Sequence, residues 1–505
     1  LVDRLMKYLT DPDDPADLDE FLIITFTKAA AAELRGKIAA KLTERIAEDP
    51  DSRLHRQMQR LYLTKISTIH GFCADLLREY AYKLDIPGDF RVADENECRE
   101  IREQVMESIL DQAYEHIHED PDFRAFVDTQ GVGRNDRLVP EILTKVYDNA
   151  TCHLDPNGWL DSCLDAADLS EITDAARTVW GNYLMEQLRE CARTHIRVLR
   201  QCEADALKAE GFDKLAAHLK ECIDKIQEIV DCQSWDQVVQ RKKLAFSTFP
   251  TIRKCSDPEL KDAIKIARDA CKEDLEKMLR PFATSSAQAL SDLQQTAAAT
   301  RGLVALVKRF EREFSQAKRS RHVLDFTDLE QRTLDLLIGK SRSTPTVAAA
   351  EVGARFREIM VDEYQDSNAI QDAMFSALTA KRNNCFMVGD VKQSIYQFRM
   401  AEPGIFLEKY RSYTDAETAQ PGEGRKVLLS HNFRSGPEVV CAVNDVFRVC
   451  MSPAVGGLYY GEEEMLREGV PHGKLPDPGV ELYGVEVKED TYAEEAAFVA
   501  QRIRQ

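Results

Sequence analysis

Ile359-Met360-Val361 is a short apolar run that ends in two adjacent carboxylates, within the segment Ile359-Met360-Val361-Asp362-Glu363-Tyr364-Gln365-Asp366. A run this short, closed by acid on its downstream side, reads as a buried strand rather than a helix. Carboxylates at the downstream end of a buried strand imply a parallel α/β sheet, where strand ends gather along one edge and ligands bind there. Other segments repeat the pattern. Phe21-Leu22-Ile23-Ile24 should be a strand passing into an Ala-rich helix over Thr27 to Ala47. Lys65-Ile66-Ser67-Thr68 should be another, followed by a helix from about Gly71 to Tyr82. Phe356 to Val361 and Cys385 to Val388 are apolar runs that end in acidic loops.

With 505 residues the chain exceeds one hydrophobic core. From about Glu97 to Lys318 helical periodicity dominates, strand-like runs nearly vanish, and Trp159, Trp180 and Trp235 all fall here. The predicted organisation is therefore an α/β domain over 1–96, a helical insertion over 97–318, and the rest of the α/β domain over 319–419. A further domain begins at 420, where Lys426 to Ser430 is a strand candidate behind a Gly/Pro-containing link. Leu1 to Leu9 has helical spacing without a cap, and the helical pattern from Glu494 runs to Gln505, so the chain is expected to be an internal fragment.

Lys and Arg total 67 against 87 Asp and Glu, a net charge of -20. That excludes a protein that coats nucleic acid or anionic membrane through overall charge. Residues 21 to 83 nevertheless hold 11 Lys/Arg and 7 Asp/Glu, a local balance of +4, so a narrow track for nucleic acid is compatible with the composition. The 13 cysteines include no C-x-x-C pair and read as reduced thiols of a cytoplasmic protein. No apolar run is long enough for a membrane span, which is about 18 residues or more.

Three segments carry the chemistry. Asp362 is placed to bind Mg²⁺ and Glu363 to orient and deprotonate a water. A bare Asp-Glu pair would read as an acidic helix cap, but D-E-x-Q-D behind a strand reverses that preference. In Met387 to Arg399, Gly389 lets a loop pass close to a ligand, and Gln393 can bond a γ-phosphate or the lytic water. Tyr396, Phe398 and Arg399 then offer two aromatic faces and a guanidinium, although such a cluster alone is more often core and surface. In His431-Asn432-Phe433-Arg434-Ser435, Arg434 could act as an arginine finger and Phe433 could stack on a base. The plainer alternative is a helix start capped by Ser435.

These segments, in this order, resemble motifs II, III and IV of the UvrD/Rep-like DNA helicases. Thr25-Phe26-Thr27-Lys28 resembles motif Ia, with Lys28 where the family usually has Asn. Thr68-Ile69-His70-Gly71-Phe72-Cys73 resembles the next DNA-contacting motif, with Gly71 for Ser, and Asp325-Phe326-Thr327-Asp328-Leu329-Glu330 resembles the segment that closes the family's helical insertion. The resemblance implies a RecA-like P-loop NTPase motor domain with a parallel sheet, a large all-helical insertion, and the start of a second RecA-like domain. It implies ATP and Mg²⁺ as cofactors, with Asp362 on the metal, Glu363 as base, Gln393 and Arg434 on the γ-phosphate, and Phe433 on adenine. Single-strand contacts are implied at Thr25, Phe26, Thr27, Lys28, Thr68, His70, Tyr396, Phe398 and Arg399.

Within the family, G-D-V-K-Q-S-I-Y-x-F-R and Met451 to Tyr460 are most similar to the AddA-type helicase–nucleases, of which RecB is a relative. That implies 3′–5′ translocation on DNA, single-stranded and duplex, double-strand-break repair by recombination, and an AddB-like partner protein. It would also place the Walker A loop upstream of Leu1, and motifs V and VI and an exonuclease domain downstream of Gln505. The residues present here are therefore expected to be inactive alone. A general repair helicase without nuclease, or a DNA-binding scaffold with a decayed ATPase, are the alternatives.

Overall fold

The computed structural model describes residues 1–48, 52–130, 137–252, 257–397, 400–453, 455–469, 479–485 and 491–504. Two of the expected strand contacts, Phe398 and Arg399, lie outside them. The chain forms two compact units, Leu1–Leu84 with Leu329–Gln505, and Asp85–Asp328.

In the first unit, helix α1 (Val2–Leu9) precedes strand β1 (Phe21–Thr25), whose five residues are all buried. A continuous apolar strand of this kind suits a parallel sheet covered on both faces. Helix α2 (Lys28–Glu48) follows, then β2 (Lys65–Thr68) and α3 (Ile69–Glu79). After the second unit the chain continues through α4 (Phe326–Ile338), β3 (Glu358–Val361), α5 (Ala369–Thr379) and β4 (Cys385–Met387). The four strands pair in the order β2-β1-β3-β4. All the pairings are parallel, with Ile23 opposite both Ile66 and Met360, and Val361 opposite Met387. The α/β reading of the apolar runs therefore holds, with a RecA-like parallel sheet.

Side chains from α1 and α2 close one face. Leu5, Leu9, Ile38 and Leu42 pack with Phe21, Ile23, Ile66 and Met360 in a single core. Arg4 ties α1 to the sheet, since its Nε donates to Glu358 Oε2 at 2.8 Å and its guanidinium lies 4.6 Å from the Phe386 ring centre.

The expected strand from Lys426 to Ser430 is not formed. Only Arg425 and Lys426 pair, with Thr414 and Asp415, and only His431 and Asn432 pair, with Arg467 and Glu468. Val427 and Leu429 are 71% and 84% exposed. An apolar run becomes a strand when neighbours take its backbone hydrogen bonds, and among the described residues Val427 to Leu429 have no sheet partner. Helix α6 (Pro437–Cys450) follows.

The second unit is helical apart from one two-residue pairing, Arg91–Val92 with Val323–Leu324. It holds two apolar cores. One contains Met185, Leu219, Ile226, Leu275 and Phe282, and the other Ile109, Phe123, Leu143, Phe310 and Phe314. Lys318 is buried between Asp325 and Asp328, 2.6 Å from each. Burial and the neighbouring Asp325 push the Asp328 carboxyl up to about 6. The carboxylates of Asp325-Phe326-Thr327-Asp328 thus neutralise a buried cation of this unit. Among the described residues, no helix is long and apolar enough to cross a membrane.

Candidate nucleotide and strand-contact site

In the order β2-β1-β3-β4 the chain first steps from β1 to β2 and later returns to the other side of β1. Ligands of open α/β sheets bind at the carboxyl ends of strands where the order reverses in this way. Asp362 sits there, its backbone N–H donating to Ile24 O at 3.0 Å. Burial first, and the neighbouring Glu363 second, hold the Asp362 carboxyl above the ordinary range.

Glu363 takes a left-handed backbone at φ 53°, which a residue with a Cβ adopts only when its surroundings enforce it. The enforcing bonds are at hand: Tyr364 N–H donates to Val388 O at 2.9 Å, and Val388 N–H donates to Val361 O at 2.9 Å. The acidic pair is not a helix cap. Asn368 caps α5, its side chain accepting from Gln371 N–H.

Gln365, 1% exposed, links the two segments. Its Nε2 donates to Glu363 Oε2 at 2.7 Å, and its Oε1 accepts from Asp390 N–H at 2.9 Å. Asp390 in turn accepts from Gln393 Nε2 at 2.9 Å and faces Lys392 Nζ at 2.8 Å. A chain of polar contacts thus runs from Glu363 to Gln393. Gly389 has a different role from the expected one. A Cβ there would lie 2.6 Å from Gln365 Oε1 and 3.2 Å from Gln365 N, so the close approach is to the chain's own Gln365.

The residues expected to touch a strand divide into two groups. Phe26 stacks on Tyr396, ring centres 4.7 Å apart at 29°. Lys28 is exposed. His70 lies 3.2 Å from Glu330. By contrast, Thr25 is buried, its hydroxyl donating to Thr27 O at 3.1 Å. The hydroxyls of Thr27 and Thr68 accept from the N–H groups of Ala30 and Gly71 at the starts of α2 and α3. Three of the expected contact threonines therefore shape the loops that carry the aromatic and basic groups.

Phe433 is 67% exposed and Arg434 is exposed. Asn432 Oδ1 accepts from the N–H groups of Arg434 and Ser435, both at 2.8 Å. Ser435 is not the cap of α6, whose N-cap is Gly436, without a side-chain cap bond.

Two adjacent carboxylates do not complete a metal shell, and among the described residues no group of three or more His, Cys, Asp or Glu is placed to hold an ion. Mg²⁺ keeps several waters and is often held by one or two carboxylates together with substrate phosphates. The hard oxygen donors of Asp362 and Glu363 fit such an ion arriving with a nucleotide.

Sequence reasoning assigned no role to Gln365, Asp390 or Glu330, although all three lie inside the quoted segments. What could have marked them is a polar residue inside a segment otherwise bound for the core.

Comparison with known proteins agrees with this geometry. Residues 1–414 match the family model described as UvrD/REP helicase N-terminal domain. Relatives named as AddA-type ATP-dependent helicase/nuclease proteins are similar over nearly the whole chain. That of Pelotomaculum thermopropionicum is 36% identical over 96% of this chain and 40% of its own length. That of Bacillus licheniformis is 33% identical over 98% and 41%, and that of Geobacillus thermodenitrificans 33% over 100% and 42%. The chain spans about 40% of the length of these relatives. A family match over most of the chain, on a parallel sheet that carries paired carboxylates at its switch point, makes this chain a member of the UvrD/REP helicase family.

Proposed function

We propose that the protein is an ATP-driven DNA motor of the helicase–nuclease kind, translocating 3′ to 5′ on one strand in double-strand-break repair. The observation that carries this reading is the Glu363–Gln365–Asp390–Gln393 chain beside Asp362 at the strand ends. Asp362 would hold Mg²⁺, whose chemistry when bound is to neutralise charge on the phosphates. Glu363 orients the attacking water and takes its proton. With Oε2 held by Gln365 at 2.7 Å, Oε1 is the oxygen turned to that task. Gln393 leaves Asp390 to bond the γ-phosphate, which would report nucleotide occupancy back along the chain.

In this reading residues 1–96 and 319–419 form the first motor domain, 97–318 the insertion, and 420–505 the start of a second motor domain. Arg434 and Phe433 come from that second domain, Arg434 onto the γ-phosphate and Phe433 onto adenine. The stacked Phe26 and Tyr396, with Lys28, His70, Phe398 and Arg399, grip single-stranded DNA. Base stacking is sequence-tolerant, which suits a translocating protein. An AddB-like partner and an exonuclease domain belong to the full-length protein, and the relatives' printed names favour that reading over a helicase without nuclease. The described cysteines are all free thiols, which supports a cytoplasmic location.

The test uses the full-length protein with duplexes bearing either a 3′ or a 5′ single-stranded tail. Single-stranded DNA should stimulate ATP turnover, and the 3′-tailed duplex should be unwound faster. Absence of DNA-stimulated turnover would sink the motor reading, and preference for the 5′ tail would reverse the polarity.

A further inference from the structure

Glu330 is a carboxylate that the proposed hydrolysis does not use. It lies on α4 and is 7% exposed. Its Oε1 is 3.2 Å from His70 Nε2 and accepts from Gln371 Nε2 at 2.7 Å. Its Oε2 accepts from Asn368 Nδ2 at 3.2 Å. Burial alone would push this carboxyl up, but the bonds from His70, Gln371 and Asn368 outweigh it and hold the group below the ordinary range. A buried charge persists only where several donors converge on it, and here they come from two separate elements.

Those elements are the two that matter. His70 stands in the first turn of α3, directly after the Thr68 cap, on the loop read as a strand contact. Asn368 and Gln371 form the first turn of α5, reached by way of Gln365 and Asp366 from the Asp362–Glu363 pair. Asp325 and Asp328 of the same segment bind Lys318, so among its carboxylates Glu330 is the one whose partners lie on α3 and α5.

We propose that Glu330 is a positioning residue that fixes the His70 imidazole for contact with a DNA strand and ties the His70 loop to the helix leaving the carboxylate pair. The proposal rests on the strand-contact reading of His70. Glu330 sits between two readings of the same protein state, strand occupancy on one side and the nucleotide segment on the other. Gln in its place keeps the shape but adds an amide donor where His70, Gln371 and Asn368 all need an acceptor.

The experiment measures ATP turnover of the full-length protein against oligothymidine concentration for Glu330→Gln, His70→Ala and the double variant, with melting temperature as a control. Glu330→Gln should raise the half-saturating DNA concentration about tenfold, the scale of one lost charge-assisted hydrogen bond, with DNA-saturated kcat within about twofold. His70→Ala should do the same, and the double variant should be no worse than either alone. Multiplying effects in the double variant, or an unchanged half-saturation in Glu330→Gln, would overturn the positioning role while leaving the contact reading intact. An unchanged half-saturation in His70→Ala would overturn the contact reading and the proposal with it. If Glu330→Gln does not fold, Glu330→Asp takes its place in the cycle, with the same expected direction and the same refuting outcomes.

Discussion

The two regions expected to meet one nucleotide are built in opposite ways. Around Glu363 every polar group is held by another, and Gln365 at the centre is 1% exposed. Around Arg434 the side chains stand in solvent, with Phe433 67% exposed, and the loop is shaped by Asn432 Oδ1 accepting two backbone N–H bonds. Proton transfer needs a base already in position, because misplacement is costly in rate. An arginine delivered from a second domain needs its place only when that domain closes, so a surface loop suffices beforehand. The carboxylate side is preset and the arginine side is delivered.

That contrast can be broken at several points. Arg434→Ala should lower DNA-stimulated kcat by about 10³-fold, the lower end of what an arginine finger contributes, without shifting the melting temperature. A loss of stability would mean that Arg434 is structural and the contrast is false. Gly389→Ala should cost about 10²-fold in kcat, because the new Cβ meets Gln365 Oε1 at 2.6 Å and displaces the group that holds Glu363. Nucleotide affinity should stay within a few-fold. Retained turnover in that variant would show that the base needs no such support.

Phe26→Ala removes one partner of the stack on Tyr396 and should weaken oligothymidine binding by about 1–3 kcal/mol, read by fluorescence anisotropy. The smallest effect concerns the cation. Burial and Glu363 hold the Asp362 carboxyl above its ordinary range, so a proton competes with a metal ion there. Lowering the pH should therefore raise the Mg²⁺ concentration needed for half-maximal turnover, and Asp362→Asn should remove that dependence. A Mg²⁺ requirement that does not change with pH would place the ion elsewhere.

The sheet was legible because its strands are apolar runs buried on both faces, and Phe21 to Thr25 needs no alternation to read as one. Val427 to Leu429 has the same composition, yet a strand also needs backbone partners, and composition is silent about them. The Asp362–Glu363 pair was legible from its place behind β3. Its support was not, because Gln365, Asp390 and Glu330 act on residues far away in sequence, and only the folded sheet brings them together. Thr25 shows the converse. Its motif marked it as a contact, but alternation along β1 and a local bond to Thr27 turn its hydroxyl inward.

The most direct test of the central claim, that Glu363 is the preset base of a DNA-dependent ATPase, is Glu363→Gln in the full-length protein. DNA-stimulated turnover and nucleotide binding are measured side by side. A preset base predicts a fall in kcat of about 10²–10⁴-fold, the range for removing a general base, with nucleotide affinity kept within a few-fold. Turnover near that of the unaltered protein would contradict it.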